Sequence, residues 1–229
     1  MIDYQVLSTG SSGNAVVINR AVMIDCGVPF RDVAPHLAGL RLILLTHIHG
    51  DHFKPSTLRR IAAERPLIRF GSCPWLTRPL LDAGIPSRQI DILQTGKQYS
   101  YGICEVAPVP LVHDVSNCGY KVHFPGGKVI YATDTVNLHG ITAKDYDLYM
   151  IEAKYEAEEI QKRINDKKAA GQYIYERRVM QTHLSREHCD DWIYQNAGPM
   201  SEILYLHGHK EEAAPDADAR EAENAVQGF

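Results

Sequence analysis

The chain of 229 residues is long enough for one substantial core, and 45% hydrophobic with 23% charged residues is an ordinary soluble composition. No apolar run approaches the roughly 18 residues needed to cross a bilayer, and Met1-Ile2-Asp3-Tyr4 lacks the basic-then-apolar pattern of a signal peptide, so a cytoplasmic address without a membrane partner is expected. The net charge of −4 is local: residues 211–229 hold six acids and one Arg220, which is −5 and leaves +1 elsewhere, so charge neither favours nor excludes nucleic acid.

In chain order, short β-branched runs come first, with strands expected over 4–8, 15–19, 21–25 and 42–46. Helices follow over 55–64, opened by Pro55, and over 74–83, closed by Gly84. Further strands are expected over 98–101, 103–108, 119–124, 128–132, 148–153 and 203–206, with Pro125-Gly126-Gly127 as a hairpin turn. The Glu-, Lys- and Ala-rich stretch 156–170 reads as a helix stopped by Gly171. A second helix spans 186–196, with Ser185 as N-cap and Glu187 in its first turn. Strands interrupted by helices that cover sheets from outside make an α/β fold, a four-layer αββα sandwich. Residues 1–210 read as one domain and 211–229 as an acidic, Ala-rich tail, expected to be disordered. Five scattered cysteines, never in C-x-x-C, suit reduced and buried thiols.

The densest chemical signal is Thr46-His47-Ile48-His49-Gly50-Asp51-His52, directly after the apolar run Leu42-Ile43-Leu44-Leu45. A strand ending in His-x-His-x-Asp-His delivers three imidazoles and a carboxylate to one place. That donor set suits zinc and its neighbours, and the absence of nearby thiolates argues against a closed structural zinc site. Other ligand-type residues directly follow expected strands: Asp25, His113, Asp134 and His207. His209 competes with His207, which is favoured because it stands at the strand end. His36 and His123 are assigned no role.

The ordered series Asp25, His47-x-His49-x-Asp51-His52, His113, Asp134 and His207 resembles the five motifs of the metallo-β-lactamase superfamily over nearly the whole chain. Leu7-Ser8-Thr9-Gly10-Ser11-Ser12-Gly13-Asn14 and His183-Leu184-Ser185 resemble its YycJ/WalJ-type branch, associated with DNA exonuclease activity and related to RNase Z and RNase J. The resemblance implies one metal on His47, His49 and His113, a second on Asp51, His52 and His207, and Asp134 bridging both. Asp25 would orient a ligand histidine by accepting its second ring N–H. Where redox members carry an acid in place of the second histidine, His49 is retained here, which points to hydrolysis with Zn2+, or Mn2+ in a nuclease setting.

Two divalent ions about 4 Å apart would bring a bound water toward a pKa of roughly 7, making a bridging hydroxide the nucleophile. Asp51, Asp134 and His183 are the expected catalytic residues, with His183 serving the leaving alkoxide of a phosphodiester. The alternative for His183 is an ordinary surface residue near a helix start. Glu152 is expected in the outer shell of the site. Ser11 and Asn14, in a Gly/Ser loop rich in donors, are the substrate-binding candidates, against a plain hairpin turn. Lys154, Lys162, Arg163, Lys167, Lys168, Arg177, Arg178 and Arg186 form either a solvated helical face or a surface that tracks a nucleic-acid backbone, with Tyr173 and Tyr175 for stacking. The expectation is a two-metal phosphodiesterase, a nuclease acting on DNA; the chain lacks room for the large inserted domain of RNase J-type enzymes, which argues against extended RNA threading. Two rivals remain: hydrolysis of a small ester, lactone or thioester by the same metals, and a nucleic-acid-binding scaffold with a degenerate site. The sequence carries no signal of oligomeric state.

Overall fold

The computed structural model describes residues 2–207; His209 and the acidic tail lie outside the described residues. Strands β1 (Tyr4–Ser8), β2 (Ala15–Ile18), β3 (Val22–Ile24), β4 (Leu42–Leu45), β5 (Arg69–Ser72) and β6 (Ile90–Ile92) form one six-stranded sheet in sequence order. It is antiparallel as far as β3 and parallel from β3 to β6. A second six-stranded sheet holds β7 (Tyr99–Ser100), β8 (Glu105–Leu111), β9 (Asn117–Phe124), β10 (Gly127–Ala132), β11 (Leu148–Glu152) and β12 (Glu202–Leu206). Here β7 to β10 are antiparallel neighbours and β10, β11 and β12 run parallel. The helices are α1 (Phe30–Val33), α2 (Pro55–Glu64), α3 (Thr77–Asp82), α4 (Ala157–Ala169), α5 (Glu176–Thr182) and α6 (Arg186–Asn196).

The unbroken Leu42-Ile43-Leu44-Leu45 run follows from burial on both faces of β4. Successive side chains alternate, so Leu42 and Leu44 meet Val106, Tyr120 and Val129 between the sheets. Ile43 and Leu45 turn outward to Leu58, Ile61 and Leu80 of α2 and α3. On the opposite outside, Ile130, Ala132, Tyr149 and Ile151 pack against Cys189 and Ile193 of α6. Three apolar interfaces between four layers give the αββα sandwich. All five cysteines are free and buried. Among the described residues no helix is long and apolar enough to cross a membrane.

Local chemistry explains the joints. Asn19 and Arg20, at φ 47° and 56°, are the central residues of the turn closed by the Ala21 N–H to the Ile18 carbonyl at 3.1 Å, in the three-residue connection between β2 and β3. The Ser185 hydroxyl caps α6 by accepting from the His188 N–H at 3.2 Å. Two strands, β5 and β6, and two short helices, α1 and α5, are additions to the elements expected from sequence. Gly71 and the flanking polar residues hide β5, whose inner positions are nonetheless fully covered by its parallel neighbours.

Candidate metal centre

The carboxyl ends of β3, β4, β10, β11 and β12 meet at one edge of the sandwich. Asp25, Asp134 and His207 follow β3, β10 and β12 with φ of 60°, 56° and 59°. This left-handed conformation costs a non-glycine residue on the order of 1–3 kcal/mol. At each of the three positions it turns the side chain off the strand end and into the site.

His47, His49 and His113 bring donor nitrogens within 4.8 Å of one another. Their outer contacts fix which nitrogen faces inward. The Thr46 hydroxyl donates to Asp25 Oδ1 at 2.9 Å and so accepts from His47 Nδ1–H, also at 2.9 Å. His113 Nδ1–H donates to the Thr182 carbonyl at 2.8 Å. Both rings therefore turn an unprotonated Nε2 to the centre, the form a metal requires. Burial, reinforced by the neighbouring His52, pushes the His47 pKa down to about 2, and burial also lowers His113. His47 Nε2 lies 3.1 Å from His49 Nδ1.

The second half of the site gathers around His52. Asp25 is fully buried, accepts from His52 Nδ1–H at 2.7 Å and accepts from the Thr46 backbone N–H at 2.9 Å. Inward, His52 Nε2 is 2.7 Å from Asp134 Oδ2 and 3.6 Å from Asp51 Oδ2. Burial opposes a charge on His52, but Asp25 and Asp134 on either side outweigh it and raise its pKa to about 10. A position between two carboxylates demands a positive charge, from a proton or a cation. His207 Nε2 is buried without a hydrogen-bond partner, and Asp51 Oδ2 is 4.0 Å away. An unpaired buried donor or acceptor costs about 1–3 kcal/mol, so the unpartnered nitrogen beside a carboxylate fits a divalent cation. The donor set, imidazole and carboxylate without thiolate, fits the same conclusion.

Glu152, at the end of β11, is fully buried and joins this network. Its Oε1 lies 2.6 Å from His183 Nδ1 and 3.2 Å from His207 Nδ1, and its Oε2 accepts from the Thr135 N–H at 2.9 Å. His183 Nδ1 is also 3.2 Å from Asp134 Oδ1. Burial alone would raise Asp134 and Glu152; hydrogen bonds from His183 and His207 reverse that and hold both ionised. Burial disfavours charge on His183 too, but the same two carboxylates raise its pKa to about 9.

A cleft of about 250 Å³ opens over this edge, and Ser11, Asp51, His183 and His207 are among its lining residues. Asn14, expected at the substrate, stands elsewhere. It is buried, with Oδ1 accepting from the Gly10 N–H at 2.9 Å and Nδ2 donating to the Gly10 carbonyl at 3.0 Å. Nδ2 also lies 2.8 Å from His52 Nε2, so Asn14 braces the centre instead of facing the cleft. Gly27 has a similar structural duty: a Cβ there would stand 1.8 Å from the Asp51 carbonyl oxygen. The basic segment divides. Arg163 pairs with Glu159 on its own helix, whereas Lys154, Tyr175 and Arg178 line the cleft. Asp114 carries no assignment from sequence, although an acid beside His113 is a usable signal. Its Oδ1 lies 3.2 Å from His113 Nε2 and 3.4 Å from His49 Nε2.

Known proteins share this architecture. The metallo-β-lactamase fold protein YhfI from Bacillus subtilis superposes with a TM-score of 0.70 at 13% identity, over 97% of this chain and 92% of that one. The short form of human tRNase Z gives 0.66 at 16% identity, over 92% and 93%. Zn2+-bound PqqB from Methylobacterium extorquens gives 0.63 at 10% identity, over 98% and 95%. At such identities the likeness is one of fold. No curated protein sequence matches the chain. The family described as "Beta-lactamase superfamily domain" matches residues 20–189, and by that match over most of its length the chain belongs to the metallo-β-lactamase superfamily.

Proposed function

We propose that the protein is a two-metal phosphodiesterase that cleaves nucleic acid, with DNA as the polymer, in the manner of the YycJ/WalJ-type branch that its motifs resemble. The observation that carries this reading is the inward turn of unprotonated nitrogens from His47 and His113 beside the partnerless Nε2 of His207, all around Asp134. His47, His49 and His113 would hold one ion, Asp51, His52 and His207 the other, and Asp134 would face both. Zn2+ or Mn2+ held there would lower the pKa of water toward roughly 7 and polarise a phosphoryl oxygen. Asp25 keeps His52 in the ligating tautomer, and Glu152 does the same for His207. His183 sits between the rings of His113 and His207, with centroids 5.2 Å from each. Glu152 and Asp134 hold His183 by Nδ1, which leaves Nε2–H as the proton this reading gives to the leaving alkoxide. Removal of such an acid costs typically 10²–10⁴-fold in rate. Human tRNase Z, a fold neighbour, bears a name that places its activity on RNA, which makes polymer choice the informative experiment. Labelled DNA and RNA oligonucleotides incubated with Mn2+ or Zn2+ should show DNA degraded, and His49→Ala or Asp134→Ala should abolish the reaction. Cleavage of RNA alone overturns the DNA assignment. Turnover of esters or lactones without any phosphodiester overturns the nuclease reading as a whole.

A further inference from the structure

We propose that Arg178 and Lys154 form a subsite for the phosphate next to the reacting one, which makes nucleotide chains carrying at least two phosphates the substrate class. The inference rests on the phosphodiesterase reading above and narrows it. Arg178 belongs to α5, and that helix is tied to the candidate centre by the His113 Nδ1–H bond to the Thr182 carbonyl at 2.8 Å. One turn earlier, the Arg178 carbonyl accepts from the Thr182 hydroxyl at 2.8 Å, so the two residues share one rigid register. One amino group of the guanidinium pairs with Asp114 Oδ2 at 2.6 Å. The side chain remains 74% exposed, so the other donors stay open to the cleft. An arginine anchored on one edge by a carboxylate presents a preorganised fork to a phosphate on the other.

Position selects the second phosphate over the first. Asp114 Oδ1 stands 3.2 Å from His113 Nε2, the nitrogen turned to the centre, and 3.4 Å from His49 Nε2. The guanidinium is therefore one carboxylate removed from the centre and meets the next anion along the chain. Lys154 lines the same cleft and adds a second cation for that anion. A neutral ester or lactone would leave both cations unused.

The test compares thymidine 3′,5′-bisphosphate with thymidine 5′-monophosphate on Mn2+-loaded protein by calorimetry. The unmodified protein should bind the bisphosphate about tenfold more tightly, as expected for one charge-assisted anchor. Arg178→Ala should bring the two affinities within twofold of each other, Arg178→Lys should fall between, and Arg178→Glu should reverse the preference. A preference that falls less than threefold in Arg178→Ala, or that the unmodified protein lacks, overturns the subsite. Thermal melting verifies that each variant is folded. If the preference holds but no phosphodiester is cleaved, the nuclease reading falls and the subsite stands. Cleavage of phosphodiesters without any preference overturns the subsite and leaves the nuclease reading in place.

Discussion

His52 donates from Nδ1 to Asp25 Oδ2 across 2.7 Å, both side chains fully buried, and this bond makes Nε2 the nitrogen that the ring turns to Asp134. Tyr131 adds its hydroxyl to the same carboxylate oxygen at 3.2 Å, and Thr46 occupies the other oxygen. One buried aspartate thus sets the orientation of the loop that carries His47, His49, Asp51 and His52. Asp25→Asn keeps the shape but can no longer accept these bonds as an anion. Its affinity for Zn2+ should fall about 10–100-fold, measured by competition with a chromogenic chelator. Affinity equal to that of the unmodified protein would deny Asp25 this orienting role.

Gly27 makes a sharper demand. A methyl group at this position would overlap the Asp51 carbonyl, 1.8 Å away, so the backbone that presents Asp51 and His52 must shift. Gly27→Ala should lose metal stoichiometry at the half of the site built by Asp51, His52 and His207, with its far-UV circular dichroism retained. A variant that binds as much metal as the unmodified protein would contradict the tight approach of the two loops.

The pH dependence of the metal-free protein has a definite sign. His52 and His183 have folded pKa values raised to about 10 and about 9, above the roughly 6.5 of an unfolded histidine. Their contribution to stability is fully present below pH ~6.5 and is lost as pH climbs through those raised values. Asp134 and Glu152 are shifted the other way, so their contribution is present above the unfolded carboxylate range of about 4 and is lost on acidification. His47 and His113, held neutral by burial, add a loss as pH falls below ~6.5, so denaturant unfolding in excess chelator should show stability greatest near pH ~6.5 and falling both on acidification and toward pH ~10. With Zn2+ present the alkaline loss should disappear, because metal binding displaces protons and is favoured as pH rises. Stability of the chelated protein that rises from neutral to alkaline pH would contradict this.

Leu44 tests the packing that carries the site. Its side chain is fully buried between the two sheets, just ahead of Thr46. Leu44→Ala should destabilise the protein by about 2–5 kcal/mol, the usual range for a truncated core leucine, read from urea unfolding. A loss under about 1 kcal/mol, nearer the scale of a surface change, would show that this interface is not the principal core.

Much of the architecture was legible because apolar runs and breakers coincide. Pro55–Glu64 and Arg186–Asn196 form helices with the bounds their proline and serine starts imply, and the strands that lead into Asp25, His47, Asp134 and His207 stand where the β-branched runs lie. Local pattern fails where tertiary burial does the selecting. In β5, Arg69-Phe70-Gly71-Ser72 has no periodicity and becomes a strand because β4 and β6 cover both its edges. Glu176-Arg177-Arg178-Val179-Met180-Gln181-Thr182 reads equally as a solvated face or a backbone-tracking surface, and it folds as α5, with Arg178, Val179 and Thr182 lining the cleft. The candidate ligands were visible because metal donors at strand ends have few other uses. Asn14 was misplaced for a physical reason: a Gly/Ser loop looks the same whether its amide faces a substrate or, as here, turns in to Gly10 and His52.

Everything proposed for this protein depends on distant segments gripping two divalent ions. Elemental analysis of protein purified without added metal, alongside Asp134→Ala and His49→Ala, is the decisive measurement. Close to two equivalents of zinc or manganese per chain are expected in the unmodified protein, with a clear loss in each variant. A chain that purifies without divalent metal and takes up none from micromolar Zn2+ or Mn2+ would contradict the dinuclear centre.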